Sequence, residues 1–433
     1  MSAHTVSDPN CVNVSIGAIN GSHICIRSSD DVNRLYVLLV TYAQDPARAA
    51  LVTEVTIDTA YLSRGYASNC LYNIDEKTLD DETTARLMKA VDWKRSHLDG
   101  TWQGSAIEHK EMNEKFAEAA TALLMSLCEN ISNLYLAERL FSGHLGEYML
   151  RNNYGQNKKP CLQHLKQVHL LRGATCDERD YGRIEMLLYI QCIHRLPALE
   201  SVSMDSVEEY QLNHDFFVPG TGNMTKIVLA GCDISDHVMA TIISIPKALR
   251  EFKVSLGGLW TIDGGRDELR VQYVREALTV HKNCLRVLDL SLGAEVSLYV
   301  SDSDPEELES EEEREELEYE EEQVRIQHLD YGLERLPLDK AISVRPDFEW
   351  KRPHGATIGS FHDFPHLRRL SVSMAVLPYQ SPSRLIDGLP PSLEYLCLCG
   401  YTRGENSNVD ENVDELMEKK GEKLPRLTVI EGV

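Results

Sequence analysis

The feature that most restricts the fold is a short pattern, apolar-x-x-apolar-x-apolar, that keeps returning along the 433 residues. It reads Val52/Val55/Ile57, Ile131/Leu134/Leu136, Leu165/Val168/Leu170, Leu199/Val202/Met204 and Met224/Ile227/Leu229. It continues as Leu249/Phe252/Val254, Leu285/Leu288/Leu290, Leu367/Leu370/Val372 and Leu393/Leu396/Leu398, and a further copy starts at Leu427/Ile430. The last two apolar residues of each copy lie two apart, so on an extended strand they share one face and their neighbours occupy the other. Between final apolar positions the steps are 79, 34, 34, 25, 25, 36, 82 and 26 residues. One match at these offsets means little, because chance often produces it. Recurrence carries the argument.

Helical patterns fill the intervals. Met112, Phe116, Ala119, Leu123 and Leu127 follow one another at alternating steps of four and three, which marks one buried helical face. Asp233 to Ile245 opens on the cap candidates Asp233 and Ser235 and closes before Pro246. Leu269, Tyr273, Ala277 and Val280 predict another helix, and Val413, Leu416 and Met417 a short one near the end. Apolar-Pro pairs precede several strands: Leu196-Pro197, Ile245-Pro246, Phe364-Pro365, Leu389-Pro390 and Leu424-Pro425. Proline lacks an N–H and fixes its own backbone, so it suits the corner into a strand and not the ladder.

Strand and helix in alternation predict an α/β solenoid, a curved parallel sheet with helices on its convex side. Each unit is too small to bury its apolar face alone and does so by stacking on its neighbours. The expected organisation is one solenoid over residues 1–433, with a capping segment at 1–29 and an acidic disordered insertion at 300–324. The alternative is an ordinary doubly wound α/β domain, whose parallel strands also alternate with helices. Such domains usually carry a Gly-rich strand-to-helix turn, and none is convincing here.

Several stretches resemble the repeat region of fungal F-box-type leucine-rich-repeat proteins. Leu35 to Val52, leading into Thr53-Glu-Val-Thr-Ile57, is similar to the segment that opens those repeats. Phe361-His-Asp-Phe-Pro-His-Leu-Arg-Arg-Leu-Ser-Val372 and Leu389-Pro-Pro-Ser-Leu-Glu-Tyr-Leu-Cys-Leu398 look like late repeats. Leu229-Ala-Gly-Cys-Asp-Ile-Ser-Asp236 resembles the cysteine-containing variant. The resemblance implies a leucine-rich-repeat solenoid that holds a protein partner on its concave face, as in substrate receptors of cullin-based ubiquitin ligases. It covers the repeat region; no Leu-Pro opening of an F-box is evident in Met1 to Ser29, a polar stretch with β-prone Val12, Val14, Ile16, Ile24 and Ile26.

Charge narrows the partners. The chain has 44 basic and 68 acidic residues for a formal net of −24, and 14 acids against one Arg between Asp302 and Gln323 supply −13 of it. A surface of that sign repels phosphate backbones, so no nucleic acid is expected. The run itself predicts a solvated loop, with Ser301, Ser303 and Ser310 placed for acid-directed phosphorylation. No stretch is apolar and long enough to span a bilayer, and Met1 to Asn20 lacks the pattern of an export signal. Eleven scattered cysteines predict reduced, mostly buried thiols. A cytoplasmic or nuclear protein is the expectation.

Motifs for chemistry are missing: no phosphate loop, His-Glu-x-x-His or nucleophile elbow occurs. Cys397 and Cys399 lack a second ligand pair, and His362, Asp363 and His366 make a conceivable metal corner, although two histidines in a polar loop are usually only polar. The chain therefore reads as a binding protein without cofactor or metal, and the rival is an enzyme whose active site is assembled in space. On the sheet face opposite the apolar pairs, the partner-binding candidates are Tyr135, His169, Asp205, Lys253, Asp289, Arg369 and Tyr395. Tyr135, Arg369 and Tyr395 lead, because Tyr and Arg are common interface anchors.

Overall fold

The computed structural model describes residues 22–26, 29–57, 121–137, 144–157, 159–171, 182–184, 186–209, 217–257, 269, 271–292, 357–377 and 384–433. Two compact units arise, one from Met1–Tyr148 with Asn157–His169 and the other from Met149–Gln156 with Leu170–Val433.

Eleven strands form one all-parallel sheet that does not close into a barrel. They are β1 (His23–Ile26), β2 (Glu54–Ile57), β3 (Asn133–Ala137), β4 (Gln167–Leu171), β6 (Ser201–Asp205) and β8 (Lys226–Cys232). The sheet continues with β9 (Glu251–Leu256), β10 (Val287–Leu292), β11 (Arg369–Ser373), β12 (Tyr395–Cys399) and β13 (Val429–Glu431), all in chain order. The remaining strands, β5 (Gly182–Ile184) and β7 (Val207–Glu209), pair with each other. Parallel neighbours need a crossover between them. Helices among the described residues include α1 (Ser29–Gln44), α2 (Pro46–Ala49), α3 (His144–Asn153), α4 (Met186–Gln191), α5 (Asp236–Ser244), α6 (Val271–Thr279) and α7 (Ser407–Lys423).

The nine complete copies of the apolar pattern map onto these strands, and every one of their apolar residues is 3% exposed or less. In the first unit Ile24, Val55 and Leu134 share one register row, and Ile26, Ile57 and Leu136 the next. The second unit has the same construction. Val202, Ile227, Phe252, Leu288, Leu370, Leu396 and Ile430 stand side by side, as do Met204, Leu229, Val254, Leu290, Val372 and Leu398. Each fully buried side chain of this size contributes about 1.5–3 kcal/mol. The pattern thus sets the register, since a one-residue slip would turn both rows outward.

Strand entry is as regular as the core. Two consecutive N–H groups at the start of one strand donate to a single carbonyl of the previous one. Arg250 and Glu251 share the Thr225 oxygen, Arg286 and Val287 the Arg250 oxygen, and Arg368 and Arg369 the Arg286 oxygen, at 2.8–3.1 Å. Before the strands, the apolar-Pro pairs make tight turns. Leu199, Leu367 and Leu427 donate back to the carbonyls of Leu196, Phe364 and Leu424, leaving proline at the second turn position where its fixed φ fits. At Leu389-Pro390 the turn starts one residue later, with Leu393 donating to the Pro390 carbonyl.

Ser235 caps α5 by accepting from the Val238 N–H, and the helix stops at Ile245 before Pro246, as its sequence predicts. Asn406 caps α7, accepting from the Asn408 and Val409 N–H groups. Three apolar assignments are corrected. Val280 is 64% exposed, because α6 ends at Thr279 and buries Val274 and Leu278 instead. Met417 is 42% exposed on an α7 that buries Val409, Val413 and Leu416. Leu127, the last residue of a helical stretch at 121–127, is only half-buried. Met112, Phe116, Ala119 and the acidic insertion with its serines lie outside the described residues.

Candidate functional site

One face of the second unit's sheet carries the core and the other does not. Burial along β9 alternates without exception, Glu251, Lys253 and Ser255 being half-buried between fully buried Phe252, Val254 and Leu256. β6 and β12 alternate in the same way, and β8 does so up to Leu229, after which its register shifts before Cys232. A parallel sheet covered by helices on both faces would instead bury consecutive residues.

Register orders the open face into rows. The first runs Ser201, Lys226, Glu251, Val287, Arg369, Tyr395 and Val429, and the second Ser203, Val228, Lys253, Asp289, Ser371, Cys397 and Glu431. Five expected site residues, Asp205, Lys253, Asp289, Arg369 and Tyr395, therefore stand on one continuous surface. Lys253 and Asp289 are register partners, and so are Arg369 and Tyr395.

Two local clusters organise that surface. Lys226 and Lys253 approach Glu251 at 3.1 and 3.0 Å. Burial pushes the Glu251 carboxyl up, yet the hydrogen bonds from Lys253 and Lys226 outweigh it and the pKa falls below its ordinary value. At the other end the Arg369 guanidinium lies over the Tyr395 ring, its Cζ 4.6 Å from the ring centroid. The Tyr395 hydroxyl donates to Glu431 Oε2 at 2.6 Å, and this bond to a carboxylate raises the phenol pKa. Cation and ring thus hold each other in place before any ligand arrives.

Beside Tyr395, Cys397 and Cys399 share the open face as strand alternation requires, with Sγ atoms 3.8 Å apart and Ser371 Oγ 3.7 Å from Cys399 Sγ. Burial and the neighbouring thiol raise the Cys397 pKa. His362 and His366 are exposed. Among the described residues no group of three or more His, Cys, Asp or Glu is arranged to hold a metal ion. The described cysteines are all free, four buried and four half-buried, so they are less uniformly buried than their sequence suggests.

The first unit holds the other two expected residues. Tyr135 and His169 stack face to face, with ring centroids 4.6 Å apart and planes at 9°. Its face is more closed near β2, where Thr56 is buried and accepts or donates a 3.0 Å hydrogen bond with His23 Nε2.

Sequence reasoning missed the buried polar groups that tie the turns together. His281 accepts from the Leu249 N–H at Nδ1 and donates from Nε2 to the Ile243 carbonyl, 2.7 Å away, a pairing that fixes its neutral tautomer. His194 donates from Nδ1 towards the Ile190 and Gln191 carbonyls at 3.2 Å and accepts from Arg195 Nε at 3.3 Å. Burial, with Arg195 beside it, lowers the His194 pKa to about 4. Asn153 and Asn223 complete this ring, Asn153 accepting from the Arg195 N–H and Asn223 donating to the Arg195 carbonyl. A lone His or Asn in a turn carries no sequence signal of such a role. No helix among the described residues is long and apolar enough to cross a membrane.

Comparison of the chain with protein-family models, with curated proteins and with solved structures finds no match.

Proposed function

We propose that the chain is a leucine-rich-repeat solenoid acting as a protein-interaction scaffold, with its partner held on the open face of the sheet. One observation carries the proposal. In the second unit the parallel strands β6 and β8 to β12 bury one face and leave the other largely polar, half-exposed and continuous across neighbouring strands. Exposing that face is unusual for parallel strands, and it creates a surface many strands wide that suits a macromolecule.

The anchors are the preformed pair Arg369 and Tyr395, flanked by Lys253 and Asp289. Arg and Tyr lose little freedom on binding when they are already stacked, and both rank among the residues whose truncation costs interfaces most. The tie to F-box-type substrate receptors rests on the resemblance of the repeat segments, and it adds a ubiquitin-ligase adaptor to the proposed partners.

Affinity capture from cells with the full chain and with Tyr395→Ala tests the proposal. Tyr395→Ala removes a half-exposed side chain, so its melting temperature should match the parent. A defined set of proteins captured by the parent and depleted at least tenfold by the variant is expected. Adaptor among them supports the receptor tie. Identical captures by both proteins would contradict binding on this face.

A further inference from the structure

The residue just ahead of the open face in each copy of the pattern stands at the entrance to its strand. In the middle of the second unit three successive entrances carry arginine. Arg286 donates its N–H to the Arg250 carbonyl at 2.8 Å, and Arg368 donates to the Arg286 carbonyl at 2.9 Å. Three guanidinium side chains therefore leave adjacent strands, whose backbones lie about 4.8 Å apart. All three are exposed.

Their charges are poorly balanced. Among the described residues Arg368 has a carboxylate within ion-pair distance, Glu394 at 3.6 Å, while Arg250 and Arg286 have none. Glu251, next to Arg250 in the chain, is already engaged by Lys226 and Lys253. Arg369 adds a fourth guanidinium, which among the described residues is engaged by the Tyr395 ring and by no carboxylate. Like charges kept at the spacing of their strands, about 5 Å, would repel by roughly 0.8 kcal/mol per pair even at the dielectric of water. Packing does not explain the cost, since these side chains are exposed. Neither does composition, in a chain with 24 more acids than bases.

We infer that the entrance comb of Arg250, Arg286 and Arg368, with Arg369 at its corner, docks an acidic segment of a partner protein, one rich in Asp and Glu. Guanidinium forks pair with carboxylates through two parallel hydrogen bonds, and a row of them matches a run of carboxylates. The ligand is short. Attraction reaches only about 8 Å at physiological salt, and the surrounding charge of this acidic chain opposes a long polyanion such as nucleic acid. Thr225 and Glu394 bound the comb on either side. The inference rests on the proposed function in one respect, that the ligand is a protein; the comb itself follows from the strand entrances.

Fluorescence anisotropy with the full chain and labelled octaglutamate tests it, beside labelled octaserine and an eight-nucleotide oligothymidine. Octaglutamate should bind at low salt at least tenfold more tightly than either control and weaken as NaCl rises. Arg250→Gln, Arg286→Gln and Arg368→Gln combined should lower the affinity at least tenfold with unchanged melting. Should the triple variant fail to fold, Arg286→Gln alone should lower it about threefold. Equal binding of octaserine, tighter binding of the oligonucleotide, or undiminished binding by the folded variants would overturn the inference. The two readings fail separately. Octaglutamate binding with no loss of captured protein in Tyr395→Ala would remove the open-face proposal alone, and the reverse result would remove only the comb.

Discussion

His194 and His281 show how a buried polar side chain trades pH tolerance for a fixed turn. Each imidazole uses one nitrogen as donor and the other as acceptor, so only the neutral ring satisfies its surroundings. Burial lowers both pKa values, that of His194 to about 4. Between the ordinary value of 6.5 and about 4 the unfolded chain binds a proton that folded His194 refuses. Its contribution is therefore complete above pH 6.5 and lost as pH falls through that window, by about 3 kcal/mol at the lower end. Urea unfolding should show a lower midpoint at pH 5 than at pH 7.5. NMR of the imidazoles should find His194 still neutral at pH 5; protonation near 6.5 would refute the account of its environment.

Among the elements, the strands were the most legible in sequence and the edges the least. The apolar spacing located β2, β3, β4, β6 and β8 to β12 because both register rows demand apolar residues at an offset of two, and the residues of those rows in these strands are buried to the last few percent. β1 escaped because its copy begins with Gly21 where an apolar residue should stand, although Ile24 and Ile26 extend both rows. β5 and β7 are three residues each and pair only with one another, too short for any period to show. The open-face candidates followed from alternation alone. Their clusters did not, since stacking of Tyr135 on His169 or Arg369 on Tyr395 depends on which strands become neighbours. Val280 was misassigned for a different reason: a helical period cannot say where its helix ends. Leu288→Asp tests the register directly. Leu288 is fully buried between Phe252 and Leu370, and a carboxylate there has no partner for its charge. A loss of several kcal/mol is expected, seen as insolubility or early melting. A soluble variant that melts like the parent would mean that β10 is registered otherwise.

For the molecule as a whole, the central question is what an uncovered parallel face is for. Stacked strands explain one face, since the buried rows need neighbours on both sides. They leave the other face free to vary, and in the second unit it carries paired charges, the engaged aromatic anchor Tyr395 and an arginine comb at its entrance. The charge of the chain, legible from composition, weighs against polyanionic partners but does not locate the cations that stand against it; Leu249-Arg250, Leu285-Arg286 and Leu367-Arg368 become a row only when three strands become adjacent. A photo-crosslinking amino acid placed singly at Ser203, Lys253 and Ser371, and for comparison at Glu411 and Glu418 on α7, measures the claim in cells. Protein adducts should form at the three open-face positions and fall away when Tyr395→Ala is added. Adducts confined to α7, or indifferent to that substitution, would contradict binding by the open face.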